Sequence, residues 1–226
     1  MKPVVEVHRL DGLGAVLPRI HRGELGAAVV RGVYSAQESA RLAGAVLGGD
    51  LDSFGQTRDL DDPTARQIRT LGVPISPSDL YPSGPAVEAY HGGAEPFRER
   101  CAAVFSPSRP FDVVAAEVLA IAAGVPAVRA RDGHGRLYGA LTVRILPEGT
   151  GLPPHCENHY QHIQIYDPIR EAVHLGRKIG FFLPLQLPEA GGRFVIYGSA
   201  YQAGVHPFPG LPLEPVAAVP HTHVPA

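Results

Sequence analysis

The feature that most constrains this chain is a short segment ending in a histidine and a glutamate two positions apart. Residues 139–146 are rich in Val, Ile, Leu and Thr, which is typical of a β-strand, and a Pro/Gly loop then leads to His155 and Glu157. Side chains two positions apart in an extended segment point to the same face, so the imidazole and the carboxylate converge. They are two of the three ligands of a two-histidine, one-carboxylate metal site, which suits Fe(II) and leaves positions open for a co-substrate and O2.

A second metal can be considered at the same place, because His155 and His159 are four residues apart, a spacing that zinc hydrolases use on a helix. Glu157, however, has the wrong offset for an H-E-x-x-H or H-x-x-E-H motif. Two prolines, Pro153 and Pro154, also come immediately before. The sequence therefore favours an iron site over a zinc hydrolase.

A wider pattern surrounds the histidine and the glutamate. Six residues fit the spacing R-x-[YL]-x-x-G-x-x-[LI]-x-x-H-x-[DE], namely Arg144, Leu146, Gly149, Leu152, His155 and Glu157. Further on, residues 181–197 read F-F-L-P-L-Q-L-P-E-A-G-G-R-F-V-I-Y, which predicts a strand, a Gly-Gly turn and a second strand. Together the two stretches resemble the core of the Fe(II)/2-oxoglutarate-dependent oxygenases. The resemblance implies a mainly β fold with flanking helices, built on a double-stranded β-helix (a jelly-roll, cupin-like core) that holds the metal.

The resemblance also implies an activity. The chain is expected to be an oxidoreductase, a non-haem iron dioxygenase that uses Fe(II), O2 and the co-substrate 2-oxoglutarate to oxidise a small organic metabolite or amino acid. Hydroxylation is the expected outcome. Halogenation is not expected, because related halogenases have a small residue in place of the carboxylate ligand, and Glu157 occupies that place.

The third metal ligand is not settled by the sequence. The family carries its second histidine on a later strand, after a G-D-L type turn, and neither that turn nor the arginine that follows it in the family is found before Ala226. Either His221 or His223 completes the site in a shortened barrel, with His223 as the predicted ligand, or the sequence as given lacks the last strands of the core.

In the family the missing arginine pairs with the far carboxylate of 2-oxoglutarate, so another cation is needed here. Arg144 is the predicted 2-oxoglutarate-binding residue, and Arg177, Lys178 and Arg193 are alternatives near the core strands. Two other functions remain open: a degenerate or truncated β-barrel that binds a ligand without turnover, and a cupin-type isomerase that works without O2.

Length and composition limit the other possibilities. The 226 residues fit a single domain, in which residues 1–126 form a helical, loop-rich supporting part and residues 127–226 form the β core. A formal charge of −2 gives no reason to expect nucleic acid as a partner, and no apolar run suggests a signal peptide or a membrane span. Two cysteines are too few for a disulfide scaffold. We expect a cytoplasmic protein with a small-molecule substrate, and the sequence does not define its oligomeric state.

Local patterns predict the remaining elements. Ser35 and Glu38 form a capping box at the start of a helix that Gly48 and Gly49 end, and Asp132 to Gly135 form a hairpin turn. Three further helices are predicted at Pro63–Leu71, Pro96–Phe105 and Pro110–Ala123. Strands are predicted at Val4–Leu10, Ala27–Val33, Ala127–Arg131, Arg136–Leu146, Ile179–Leu187 and Arg193–Tyr197, with a last strand at either Pro215–Val219 or His221–Val224.

Overall fold

Four α-helices and seven short strands lie in the part of the chain that the computed structural model describes. That part comprises residues 2–56, 68–73, 84–105, 109–152, 167, 179–190, 192, 194–197 and 215–219. The helices are α1 (Val16–His21), α2 (Ala36–Leu47), α3 (Gly84–Phe105) and α4 (Phe111–Ala123). The strands are β1 (Val4–Val7), β2 (Ala27–Val30), β3 (Gly55–Gln56), β4 (Arg69–Leu71), β5 (Val143–Ile145), β6 (Phe194–Tyr197) and β7 (Pro215–Val219).

The chain divides into two compact units. The first comprises Met1–Gly44, Val113–Val128 and Phe182–Ala226, and the second comprises Ala45–Asp112 and Arg129–Phe181. In the first unit, β1 and β2 pair in parallel, with Val4 opposite Ala27, and a 3-10 turn and α1 connect them. The same unit contains the antiparallel pair of β6 and β7.

The second unit contains a three-stranded antiparallel sheet in the order β3-β4-β5. Leu71 on β4 is fully buried, and the next residue, Gly72, has a φ of +108° and lies against the Phe97 ring of α3. A Cβ at Gly93 would lie 2.6 Å from Cγ1 of Val73, so α3 and the end of β4 approach each other closely. This approach needs a glycine at position 93.

Two of the predicted helices are confirmed, and both are bounded by local signals. The capping box of α2 is formed: the Ser35 backbone N–H donates to Glu38 Oε2 at 2.7 Å, and the Glu38 N–H donates to Ser35 Oγ at 3.2 Å. Helix α4 ends before Gly124, which has a φ of +74° and whose N–H donates to the Ala120 carbonyl oxygen at 2.9 Å.

Helix α3 begins much earlier than the sequence predicts. The sequence predicts Pro96 at the start of a helix, but it lies inside the 22 residues of α3. Proline is unfavourable there, because it has no N–H to donate and its ring crowds the preceding turn. The apolar face that the sequence predicts is confirmed, since Phe97, Cys101 and Val104 are all buried.

The predicted double-stranded β-helix is wrong. Helices account for far more residues than strands, and none of the sheets in the described ranges has more than three strands. One reason lies in Ile179–Leu187, which was predicted as a buried strand and contains no strand in the structure. Pro184 lies in the middle of that run and cannot donate to a ladder, and Phe182 is 53% exposed. The chain is therefore not a mainly β, jelly-roll protein.

Other strand and helix predictions hold in part. The hairpin turn after Arg131 is present, and Arg131 bridges Leu137, but the predicted strand to Leu146 is reduced to β5. Residues 69–71 form β4 instead of the end of a predicted helix, because they pair with strands on both sides. The predicted last strand is confirmed as β7, whose partner is β6. No helix in the described ranges combines the length and the apolar character needed to cross a bilayer.

Candidate metal and co-substrate site

The predicted metal ligands fall in parts of the chain that the structure does not describe. His155, Glu157 and His223 lie outside the described residues, as does the alternative His221. Among the described residues, no three His, Cys, Asp or Glu side chains are grouped so that they could hold a metal ion. The chemistry of the predicted set nevertheless fits Fe(II), which takes imidazole and carboxylate together in sites of this type.

Arg144 is the one predicted site residue that the structure places. It lies at the centre of β5 and is paired with Thr70 of β4, so the two side chains lie on the same face of the sheet. Thr70 is buried, whereas Arg144 is exposed. Within the described ranges, the Arg144 guanidinium forms neither an ion pair nor a hydrogen bond. An exposed cation therefore lies eleven residues before His155, beside a buried hydroxyl.

Upstream of β5, the hairpin turn is held together by one carboxylate. Asp132 Oδ1 accepts hydrogen bonds from the backbone N–H groups of His134 (2.9 Å) and Arg136 (2.8 Å), and Oδ2 accepts from Arg136 Nε at 2.7 Å. Burial alone would raise the pKa of Asp132, but these hydrogen bonds and the Arg136 charge lower it to about 2. The carboxylate is thus ionised at neutral pH and fixes the turn, as Asp does in Asx-turns.

A row of polar side chains on α3 faces this hairpin. Glu88, His91 and Glu95 are spaced three and four residues apart, which places them on one side of the helix. Arg136 Nη1 donates to Glu88 Oε1 at 2.6 Å, and Arg129 Nη1 donates to Glu95 Oε2 at 3.1 Å. We call Glu88, His91 and Glu95 the polar row of α3.

Two tyrosines adjoin the polar row. The Gly139 N–H donates to Tyr90 Oη at 2.9 Å, and the His91 ring lies edge-on to both Tyr90 and Tyr138, at centroid distances of 5.1 and 5.2 Å. Burial raises the pKa of Tyr90, and burial together with the Asp132 charge raises the pKa of Tyr138 to about 12. Both phenols therefore stay protonated at neutral pH and act as neutral groups.

The polar row was not predicted, although a signal for it is present in the sequence. Helical spacing of Glu88, His91 and Glu95 could have indicated one face of a helix. The signal was hidden because Pro96 suggested a helix start and the two residues Gly92 and Gly93 suggested a loop.

Comparison with known proteins defines the class. The chain is a member of the Fe(II)/2-oxoglutarate-dependent enzymes, which confirms the superfamily predicted from the sequence. Within that class it belongs to the family described as "Carrier-protein-independent halogenase WelO5", whose family model matches residues 6–210. The metal and the co-substrate of the class are Fe(II) and 2-oxoglutarate, as predicted. No curated protein matches the chain.

Proposed function

We propose that this protein hydroxylates a free small molecule in a reaction that depends on Fe(II), O2 and 2-oxoglutarate. Membership of the family supports the metal and the co-substrate. The family's description, carrier-protein-independent, supports a substrate that is not tethered to a carrier protein. The choice of hydroxylation rests on one observation, which is the carboxylate at position 157, two residues after His155.

A carboxylate at this position decides between the two outcomes through charge and space. His155 and Glu157 would hold the metal as one neutral and one anionic ligand. A small residue at position 157 would leave a coordination position open for a halide ion, whereas the Glu157 carboxylate would fill that position and bring the negative charge itself. When bound, Fe(II) supplies, together with 2-oxoglutarate and O2, the oxidant that attacks a C–H bond of the substrate.

Arg144 is proposed to bind the far carboxylate of 2-oxoglutarate. Its guanidinium is exposed, and no ion pair engages it within the described ranges. A planar guanidinium matches a carboxylate in a bidentate geometry, and the buried Thr70 hydroxyl on the same face could add a donor. His223, with His221 as the alternative, remains the predicted third metal ligand.

Halogenation is the second candidate, because the matching family is described as a halogenase family. It requires that Glu157 either leave the metal or be no ligand at all. The two candidates differ in their dependence on halide and on residue 157, so a single set of variants can separate them.

The test is succinate formation and product mass for the wild type, Glu157→Gly and His155→Ala, each assayed with and without chloride or bromide. For the wild type we expect succinate formation that depends on iron and a product heavier by one oxygen atom, in both the presence and absence of halide. Glu157→Gly should lose hydroxylation and gain halide-dependent product, and His155→Ala should lose both. A halogenated product from the wild type would overturn hydroxylation, and absence of iron-dependent succinate would overturn the enzymatic function.

For the co-substrate, Arg144→Gln should raise the KM for 2-oxoglutarate by about 100-fold, since a charge-assisted hydrogen-bond pair contributes roughly 3 kcal/mol. Arg144→Lys should recover part of this loss because it keeps the charge. Arg9→Gln is the matched control, because Arg9 is also exposed and lies in the other compact unit. An unchanged KM in Arg144→Gln would assign the carboxylate to another cation.

A further inference from the structure

The second arm of the hairpin is bonded to the first arm over only a few residues, and side chains hold the part of it that follows. After the single bridge at Leu137, residues 138–142 belong to no strand, and the ladder resumes only at β5. In this interval the Tyr138 N–H still donates to the Ala130 carbonyl oxygen of the first arm at 3.0 Å. The next two backbone groups bond differently: the Tyr138 carbonyl oxygen accepts from Arg129 Nη2 at 2.9 Å, and the Gly139 N–H donates to Tyr90 Oη. Backbone groups that a strand partner would normally satisfy are thus bonded to side chains.

His91 makes the central contact of this kind. Its Nδ1 lies 3.2 Å from the Leu137 carbonyl oxygen, and because a carbonyl can only accept, the hydrogen of this bond must be on Nδ1. Its Nε2 lies 3.7 Å from Asp132 Oδ2 on the other side of the turn. The His91 side chain is 4% exposed and the Asp132 side chain 2%. One buried ring on α3 therefore contacts both ends of the hairpin turn.

The fit between α3 and this arm is close. A Cβ at Gly139 would lie 3.2 Å from Tyr90 Oη and 3.9 Å from Cγ2 of Val73, so the chain at Gly139 passes directly against α3 and the end of β4. The position of Gly139 in turn limits where β5 begins, four residues later. Since β5 has three residues and pairs with β4 alone in the described sheet, its own ladder contributes few hydrogen bonds.

We propose that Tyr90 and His91 are positioning residues for the metal and co-substrate site, a role that rests on the proposed function. They fix residues 137–139 against α3 and so set the position of β5, which carries Arg144 and leads in sequence to His155 and Glu157. A catalytic arrangement is sensitive to displacements of about 1 Å in the residues that support it. Replacing Tyr90 or His91 should therefore reduce the affinity for Fe(II) or 2-oxoglutarate more than it reduces the stability of the fold.

The experiment compares three replacements of His91 in the full chain. His91→Asn keeps an N–H donor where Nδ1 lies, His91→Gln keeps a polar group nearer Nε2, and His91→Leu keeps neither. Tyr90→Phe removes only the acceptor for Gly139. Val104→Ala is the matched control, since Val104 is buried on the same helix outside the polar row. The readouts are amide hydrogen exchange, Fe(II) affinity, and KM and kcat for 2-oxoglutarate.

For His91→Leu we expect faster amide exchange in residues 137–145, together with a loss of Fe(II) affinity or a rise in the KM for 2-oxoglutarate of about tenfold or more. His91→Asn should keep the exchange rates and the binding of Fe(II) and 2-oxoglutarate close to those of the wild type, because it keeps the donor to the Leu137 carbonyl oxygen. Val104→Ala should leave the affinity and the KM unchanged even where its loss of thermal stability equals that of His91→Leu.

Two results would overturn the positioning role. One is unchanged exchange in residues 137–145 for both His91→Leu and Tyr90→Phe. The other is increased exchange in that stretch with Fe(II) affinity and KM equal to those of the wild type. If the wild type itself bound neither Fe(II) nor 2-oxoglutarate, the proposed function would fail. The link to the site would then fail with it, whereas the effect of His91 on exchange would be measured independently.

Discussion

Helices α2 and α3 differ in how far away along the chain the residues that stabilise them lie. The start of α2 is fixed by Ser35 and Glu38, which bond to each other's backbone within four residues. Helix α3 contains Gly92, Gly93 and Pro96, all poor helix formers, and the partners of its polar row lie 34 to 48 residues away in the hairpin.

The difference shows what each helix can do. The start of α2 is specified by bonds between neighbouring residues, so the sequence alone predicts it. A helix that depends on distant contacts reports on those contacts, so α3 is coupled to the position of the hairpin through its polar row. Substitutions can remove either a distant contact of α3 or a local bond of α2.

The largest effect is expected at Asp132, where the distant contacts of α3 converge. Asp132→Ala should lower the free energy of unfolding by about 3 kcal/mol, because it removes the acceptor of three hydrogen bonds, two from backbone N–H groups of the turn and one from the half-exposed Arg136 guanidinium. Asp132→Asn should cost less, since its carbonyl can still accept from the backbone. Urea unfolding measures both. Glu99→Gln, an exposed change on α3, is the control, and an equal loss there would remove the special role of Asp132.

Because the pKa of Asp132 is low, the difference in stability between the wild type and Asp132→Asn should depend on pH. The folded Asp132 pKa of about 2 is below the ordinary value of 3.8 for an aspartate, so the carboxylate stabilises the fold above pH 3.8, and this contribution is lost as the pH falls towards 2. The difference in unfolding free energy between the wild type and Asp132→Asn should therefore be constant from pH 5 to 7 and shrink below about pH 4. A difference that persisted at pH 2 would contradict the assignment.

A smaller change in stability is expected for alanine substitutions in α3, and its sign should differ between the neighbouring positions Gly92 and Gly93. Gly93→Ala should destabilise the protein by about 1 kcal/mol, because the clash with Val73 costs about 2 kcal/mol and outweighs a helix-propensity gain of roughly 0.8 kcal/mol. Gly92→Ala meets nothing within 4 Å and should stabilise by about that gain. Gly44→Ala in α2 also meets nothing and should behave like Gly92→Ala. Thermal unfolding of the three variants checks this, and a stabilising Gly93→Ala would show that α3 and β4 pack loosely.

The smallest effect is expected at the start of α2. Ser35→Ala should cost about 0.5 kcal/mol, at the low end for an N-cap, because both capping bonds are exposed. Amide exchange should quicken only in the first turn of α2 and leave α3 unchanged. Faster exchange in the hairpin of Ser35→Ala would show that α2 is not locally specified.

The sequence predicted those elements whose signals are local. The capping box of α2, the end of α4 at Gly124 and the turn at Asp132 all depend on residues within four positions of one another, and all three are present. The superfamily was also predicted correctly, because the R-x-L…H-x-E spacing is itself a local pattern.

The rest depended on tertiary contacts that the sequence does not display. Arg69 to Leu71 became a strand because β3 and β5 pair with it on both sides. The start of α3 was missed because packing against Val73 and the hairpin outweighs the weak helix propensity of its glycines. The jelly-roll prediction relied on the architecture of the resembled family. Ile179–Leu187 has the apolar composition of a strand, but Pro184 within it cannot donate to a ladder. For the site, His155, Glu157 and His223 remain predictions.

The burial of Cys101 on α3 affects how readily the protein is oxidised. Burial, with a further contribution from the Asp112 charge, raises the pKa of its thiol to about 12. Peroxide and similar oxidants attack the thiolate, which is the first step towards sulfenic and sulfinic acid. An enzyme that combines iron with O2 can release such oxidants whenever turnover fails, and the protonated, enclosed sulfur of Cys101 is poorly reactive towards them.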